Sequence, residues 1–253
     1  MQRIDTLSSG YKIIQDDKAF CFGIDALLLA AFVRMKKGDQ VFDLGCGNGI
    51  LELLLCDRAK DLKSAHGAAD CHFTGLEVQA KAAEMARESV RLNSLERQIE
   101  IVEGDIKTVR ESFPAQRADL VISNPPYMKP SAAKENSTDE KTIARHEVLC
   151  SLDDVIAATR WLLKSGGAFY MIHRPYRLSE IFSSLEKYRL TPRRMQLVYP
   201  KIDQAPEMVL IESRPNYKPD LKIAPPLIMY GGDGEYTLEF KDFVRAKNKP
   251  YNC

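Results

Sequence analysis

The sequence predicts a doubly wound α/β fold, one mainly parallel sheet with helices on both faces. Short β-favouring runs alternate with amphipathic helical runs from about residue 39 onward, the pattern of consecutive βαβ units. A glycine-rich loop, DLGCGNG at 43–49, divides the first such run from its helix, at the end of a strand where open α/β sheets take their ligands. A chain of 253 residues with 45% hydrophobic content is long enough to bury the core that such a sheet needs.

Taken in order, Gly23 to Met35 reads as a helix ahead of the sheet. Gln40 to Leu44 is the first strand of the alternation and Gly49 to Lys60 its helix. His72 to Glu77 is the second strand. Ala80 to Leu92 places apolar residues at helical spacing, and Ile99 to Val102 follows as the third strand. Asp119 to Ser123 is the fourth. Leu152 to Leu163 reads as a helix closed by Lys164-Ser165-Gly166-Gly167, where a glycine can adopt the left-handed cap, and Ala168 to Ile172 is the fifth strand. Met195 to Tyr199 and Met208 to Glu212, split by the polar PKIDQAP, predict a terminal antiparallel hairpin. Prolines at 215, 219, 225 and 226 deny the tail regular structure until a helix at Thr237 to Lys247. There is no internal repeat.

Composition narrows the class of function. No apolar run approaches the ~20 residues of a membrane span, and the N-terminus lacks the apolar segment of a signal peptide. Six cysteines, at 21, 46, 56, 71, 150 and 253, form no CxxC pair, which fits reduced thiols and a cytoplasmic protein. His66, Cys71 and His72 sit together in SAHGAADCH without the four-ligand spacing of a structural zinc site, so no metal is expected. The net charge is +1, but residues 1–159 carry −5 and residues 160–253 carry +6. A basic half can supply phosphate contacts.

The loop has the form DxGxGxG. Gly45, Gly47 and Gly49 let backbone approach a ligand closely. A dinucleotide loop is usually GxGxxG; here the third glycine comes one residue early and Asp43 stands two residues before the first. Glu77, ending the second strand, can accept both hydroxyls of a ribose. It lies 32 positions after Gly45, with KSAHGAAD inserted between helix and strand. Asp105, in EGD after the third strand, can take an adenine amino group with Ile106 packing on the ring, or can serve as a helix N-cap.

These residues resemble the class I S-adenosylmethionine-dependent methyltransferases over most of the chain. The resemblance implies a Rossmann-like, seven-stranded, mainly parallel sheet with a terminal antiparallel hairpin, and S-adenosyl-L-methionine as cofactor. It implies that Asp43, Gly45, Gly47 and Gly49 hold the methionine end, Glu77 the ribose, and Asp105 and Ile106 the adenine. The chain then divides into an N-terminal strand and helix segment covering the cofactor pocket (1–38), the methyltransferase domain (39–214), and a proline-rich extension packed on it (215–253).

The fourth strand ends in Asn124-Pro125-Pro126-Tyr127. Tandem prolines fix the backbone and remove two amide donors, leaving nearby carbonyls free to accept. Asn124 adds a carboxamide oxygen and Tyr127 a flat face for stacking. Together they suit a planar substrate bearing NH2, whose nitrogen lone pair is delocalised and needs acceptors on its hydrogens to become nucleophilic. NPPY resembles the fourth motif of amino-group methyltransferases. It does not choose among adenine N6, guanine N2 and the glutamine amide of release factors.

Further stretches bear on that choice. Ile13-Ile14-Gln15, the run Phe20 to Leu29, ARHE at 144–147, PLIMY at 226–230 and GEYT at 234–237 resemble the tRNA1(Val) adenine-N6 methyltransferase-like family. That resemblance implies Phe20, Phe22 and Asp25 along the cofactor and base pocket, with Asp25 counted on the cofactor side, and tRNA as the partner. Lys129, Arg145, Arg174 and Arg177 are candidate RNA contacts. Base modification needs an unstacked nucleotide held by aromatic rings and cations. Ribosomal RNA modified at guanine N2 is the alternative substrate. A release-factor enzyme is expected to carry a larger N-terminal helical domain than the 38 residues ahead of the first sheet strand. A non-catalytic RNA-binding module is expected to have a damaged loop or motif, and neither is damaged. A monomer is expected.

Overall fold

The computed structural model describes residues 2–16, 22–62, 70–127 and 150–245. The chain opens with an antiparallel hairpin of β1 (Gln2–Thr6) and β2 (Lys12–Asp16), followed by α1 (Ile24–Phe32). The predicted alternation comes next: β3 (Gln40–Leu44), α2 (Ile50–Ala59), β4 (His72–Glu77), α3 (Ala80–Leu92) and β5 (Ile99–Glu103). A 3-10 turn at Ile106–Thr108 leads into the short α4 (Val109–Ser112), and β6 (Ala118–Ser123) ends at the proline pair. Beyond it lie α5 (Leu152–Leu162), β7 (Leu163–His173), a 3-10 turn at Pro175–Arg177 and α6 (Leu178–Lys187). The chain continues through β8 (Leu190–Tyr199), β9 (Met208–Pro215), β10 (Lys222–Ile223), β11 (Leu227–Ile228) and α7 (Leu238–Arg245).

The main sheet runs β10-β8-β9-β7-β6-β3-β4-β5, with β11 also on β8. Every pairing in it is parallel except those of β9, which is antiparallel to both β7 and β8. The seven strands from β8 to β5 are the expected sheet with its terminal hairpin. β10 and β11 extend it, because backbone between the prolines pairs with the free edge of β8; the tail is therefore less irregular than its prolines imply.

Side chains alternate across the sheet, as the two-residue period of a strand requires. On β3, Val41 joins the apolar layer that includes α1, α2, α3 and α7, whereas Phe42 and Leu44 join the layer that includes α4, α5 and α6. Asp43 shares the face of Val41 and stands opposite Gly75 of β4. All the parallel strands point their carboxyl ends to one edge, so the glycine loop after β3, Glu77 after β4 and the proline pair after β6 meet there.

Two expectations need correction. No glycine closes α5. Leu163 already turns to extended backbone at φ −67° and ψ 129°, and β7 begins with it. Gly166, at φ 86°, instead lies inside β7, where the pairing with β6 changes register between Ala118 and Leu120. The second correction is α6, which sequence analysis passes over. Its Leu178, Ile181, Phe182 and Leu185 share one face at helical spacing and pack on the second apolar layer.

Candidate active site

The glycine loop is fastened to β4 rather than standing alone. Gly45, Gly47 and Gly49 adopt φ of 82°, 57° and 82°, a left-handed path that costs an ordinary residue ~1–2 kcal/mol at each position. The Gly45 and Cys46 amides donate to the Leu76 carbonyl at 2.9 and 3.2 Å. Gly47 N donates to Glu77 Oε2 at 2.9 Å, and Gln79 N donates to Glu77 Oε1 at 2.8 Å. Glu77, expected as a ligand-binding acid, thus also sets the loop's position. A side chain at Gly49 would press on Ala86 of α3, its Cβ only 3.2 Å from that methyl. The N-terminal hairpin flanks the same loop, for Asn48 Nδ2 donates to the Ile14 carbonyl at 3.4 Å and Ile14 N donates to Ser89 Oγ at 3.0 Å.

Behind the loop lies an acid that sequence analysis missed. Glu52, in the first turn of α2, is 1% exposed, as is Asp43. Neither carboxyl has a hydrogen-bond partner on either oxygen among the described residues. Gly75 makes room for Glu52, since a methyl there would collide with Glu52 Oε1 and with Cys46 Sγ. Burial pushes the Asp43 carboxyl well above the usual carboxylate range, with Glu52 and Glu77 adding to the effect. Burial likewise holds Glu52 up at about 8 and raises the Cys46 thiol. Unpaired buried acids are costly, so these two unpartnered carboxyls behind the loop fit a ligand that brings positive charge and N–H hydrogens. The signal in the sequence was a lone acid in the apolar helix GILELLL, directly after a glycine loop.

Asp105 takes the N-cap role. Its Oδ1 accepts from Lys107 N at 2.9 Å, and Lys107 Nζ stands 3.4 Å from Oδ2. Its side chain is one-third exposed at the end of β5, beside Ile106, which packs on the second apolar layer.

The NPPY segment is tied to the glycine-loop strand by Ser123 Oγ, which donates to the Leu44 carbonyl at 2.8 Å. Asp25, delivered by α1, sits against it. Asp25 Oδ2 accepts from Asn124 Nδ2 at 3.0 Å and lies 2.8 Å from the Tyr127 hydroxyl, which is also 2.5 Å from Asn124 Oδ1. The phenol has one proton and two acceptors in reach. When it donates to Asp25, the carboxamide oxygen of Asn124 is left to accept from another group. Burial and the nearby Asp25 push the Tyr127 phenol well above its ordinary value, so it stays protonated.

The end of β7 completes this side. The Arg174 guanidinium lies over the Tyr127 ring at 5.1 Å, and His173 meets the ring edge-on at 5.3 Å. Burial, then the charge of Arg177, drives His173 down to about 3, so it is neutral, with Nδ1 accepting from Arg174 N at 2.7 Å. Tyr176 donates its hydroxyl to the Tyr127 carbonyl at 2.7 Å.

The remaining candidates divide. Phe22 is half-buried against the first apolar layer, and its amide donates to Gln15 Oε1 at 3.0 Å. Arg174 joins the NPPY cluster. Arg177 does not reach the surface; it is 4% exposed and pairs with Glu180 at 2.5 Å. Arg194 is also turned inward, onto Glu212 at 3.1 Å and the Phe32 ring at 3.7 Å. Phe20, Lys129 and Arg145, with ARHE and His66, lie outside the described residues. Cys71 is a buried thiol 3.2 Å from the Lys36 carbonyl.

Comparison with known proteins agrees with this architecture. Residues 22–188 match the family model described as the methyltransferase small domain. A tRNA1(Val) (adenine(37)-N6)-methyltransferase from Haemophilus influenzae is 26% identical over 235 residues, which is 93% of this chain and 94% of that protein. Among solved structures, an Agrobacterium tumefaciens protein described as a predicted O-methyltransferase superposes with a TM-score of 0.70 at 23% identity, over 90% of this chain and 98% of its own. Geranyl diphosphate C-methyltransferase from Streptomyces coelicolor, solved with S-adenosyl-L-homocysteine, shares the fold at a TM-score of 0.54 and 13% identity, over 76% of each chain.

Proposed function

The chain belongs to the methyltransferase small domain family, and on that premise we propose that it methylates the N6 amine of an adenine in structured RNA, tRNA being the substrate and S-adenosylmethionine the donor. The observation that carries the reading is the joining of two half-sites. An acid-backed glycine loop and an Asp25–Asn124–Tyr127 cluster occupy adjacent strand ends, held by the Ser123 bond to Leu44. The name of the Haemophilus relative supports adenine in tRNA over guanine in ribosomal RNA or a glutamine amide.

Asp43 and the loop glycines hold the methionine end of the cofactor, Glu77 its ribose, and Asp105 with Ile106 its adenine. The unpartnered oxygens of Asp43 and Glu52 fit its cationic end. Bound there, S-adenosylmethionine supplies an electrophilic methyl group on a sulfonium. The described residues of the N-terminal segment, 2–16 and 22–38, cover this pocket, and those of the extension, 215–245, add β10 and β11 at the opposite edge of the sheet.

The chain's own work is on the amine. Tyr127 offers the ring face not covered by Arg174 to the adenine. Asp25 holds the Asn124 amide group by its nitrogen and accepts a hydrogen bond from the Tyr127 hydroxyl, leaving Asn124 Oδ1 free to accept. That oxygen and the Pro125 carbonyl accept the two amine hydrogens. As the nitrogen gains the methyl group it becomes cationic, and these two acceptors stabilise the charge where it develops. The methylated ammonium is acidic and gives its extra proton to water. No metal and no general base enters.

Asn124→Ala tests the assignment. Turnover on tRNA should fall at least ~100-fold, the scale of one lost transition-state contact, while cofactor affinity by calorimetry stays within about twofold. Equal loss of both would place Asn124 on the cofactor side and sink the substrate role.

A further inference from the structure

We infer that Tyr176 is a stacking plate for the nucleobase that flanks the target adenine, a substrate-positioning residue of the RNA reading on which this inference rests. The ring is 66% exposed, yet it is held at both ends. At its base, Pro175 fixes one backbone angle and Arg177 N donates to the Arg174 carbonyl at 3.2 Å, closing the 3-10 turn. Arg177 is locked by Glu180, and Arg174 Nη1 donates to the Glu207 carbonyl at 3.2 Å. At its tip, the hydroxyl is spent on the Tyr127 carbonyl at 2.7 Å.

A large ring left open to solvent gains nothing from burial, and restraining it loses rotamer freedom. Such a ring is preorganised for a partner with a flat face. Tyr127 is the ring assigned to the target base, and Tyr176 is bonded to the backbone of that same residue, so its partner is the next base along the strand. The Arg174 guanidinium, on the same turn, is the cation that a neighbouring phosphodiester requires. Stacking of this kind tolerates any base, because every base has a π-face.

The test uses unmodified tRNA transcript and the full chain with Tyr176→Ala, Tyr176→Trp and Tyr176→Phe. Loss of one stacked base corresponds to roughly a 5- to 150-fold loss of binding. Tyr176→Ala should raise KM for tRNA by that factor, with kcat and cofactor affinity each within about twofold. Tyr176→Trp should keep KM close to wild type, since a larger ring still stacks. Tyr176→Phe, which loses only the tether, should fall between. An unchanged KM in Tyr176→Ala, a Trp variant as poor as the Ala variant, or a parallel fall in cofactor affinity overturns the stacking role while wild-type tRNA methylation stands. Wild-type protein that places no methyl group in RNA overturns the proposed function, and this inference with it.

Discussion

Replacing Glu52 with Gln should stabilise the cofactor-free protein above pH 5 and remove the share of its pH-dependent stability that Glu52 contributes. The acid is buried without a partner among the described residues, and burial holds it at about 8 against an ordinary 4.5. The folded protein keeps this proton up to about pH 8, whereas the unfolded chain releases it near 4.5. Below the lower value both states are protonated and the full stability is present. Between the two values the unfolded state binds fewer protons, so stability is lost at ~1.4 kcal/mol per pH unit. By pH 7 the loss reaches roughly 3 kcal/mol, and by pH 8 it nears its limit of about 5 kcal/mol. Gln has the same shape and no proton to lose. In a chain of this size ~3 kcal/mol moves Tm by roughly 6–12 °C. Thermal unfolding of both proteins at pH 5, 6, 7 and 8, at fixed ionic strength, reads the effect directly. The curves should nearly meet at pH 5 and diverge to pH 8. Parallel curves, or a variant less stable than wild type at pH 8, would refute the reasoning.

Two further substitutions separate the halves of the site. Glu77→Ala strips the Gly47 and Gln79 amides of their acceptor, so it should cost ~1–3 kcal/mol of stability and weaken cofactor binding more than tenfold. Unchanged affinity by calorimetry contradicts the ribose assignment. Asp25→Ala removes the acceptor shared by Asn124 and Tyr127; kcat on tRNA should drop at least about tenfold with cofactor affinity within twofold. A loss confined to cofactor binding would return Asp25 to the cofactor side, where the family resemblance placed it.

The succession of strands and helices along the chain, and the strand end that carries the glycine loop, were legible because hydrophobic alternation and glycine punctuation are local signals. Gln40–Leu44, His72–Glu77 and Ala80–Leu92 come out at the expected residues. The cap at Gly166 failed because a left-handed glycine serves a bulged strand as well as a helix end. β10 and β11 were hidden because two-residue strands are made by the open edge of β8, not by their own sequence. Asn124, Tyr127 and the glycine loop were legible as motifs, but their link to Asp25 spans 99 and 102 positions and only the fold reveals it. Glu52 escaped notice because one acid on a helix usually faces water; its burial depends on Gly75 in a different strand. Arg177 shows the reverse, a basic residue in a basic run whose charge is turned inward.

Methyl transfer itself is the most direct test. The protein should be incubated with isotopically labelled S-adenosylmethionine and a mixture of unmodified total tRNA and ribosomal RNA, and the labelled nucleoside identified by mass spectrometry after digestion. The account predicts N6-methyladenosine in the tRNA fraction, lost with Asn124→Ala. N2-methylguanosine in ribosomal RNA, or label only in protein, would contradict it.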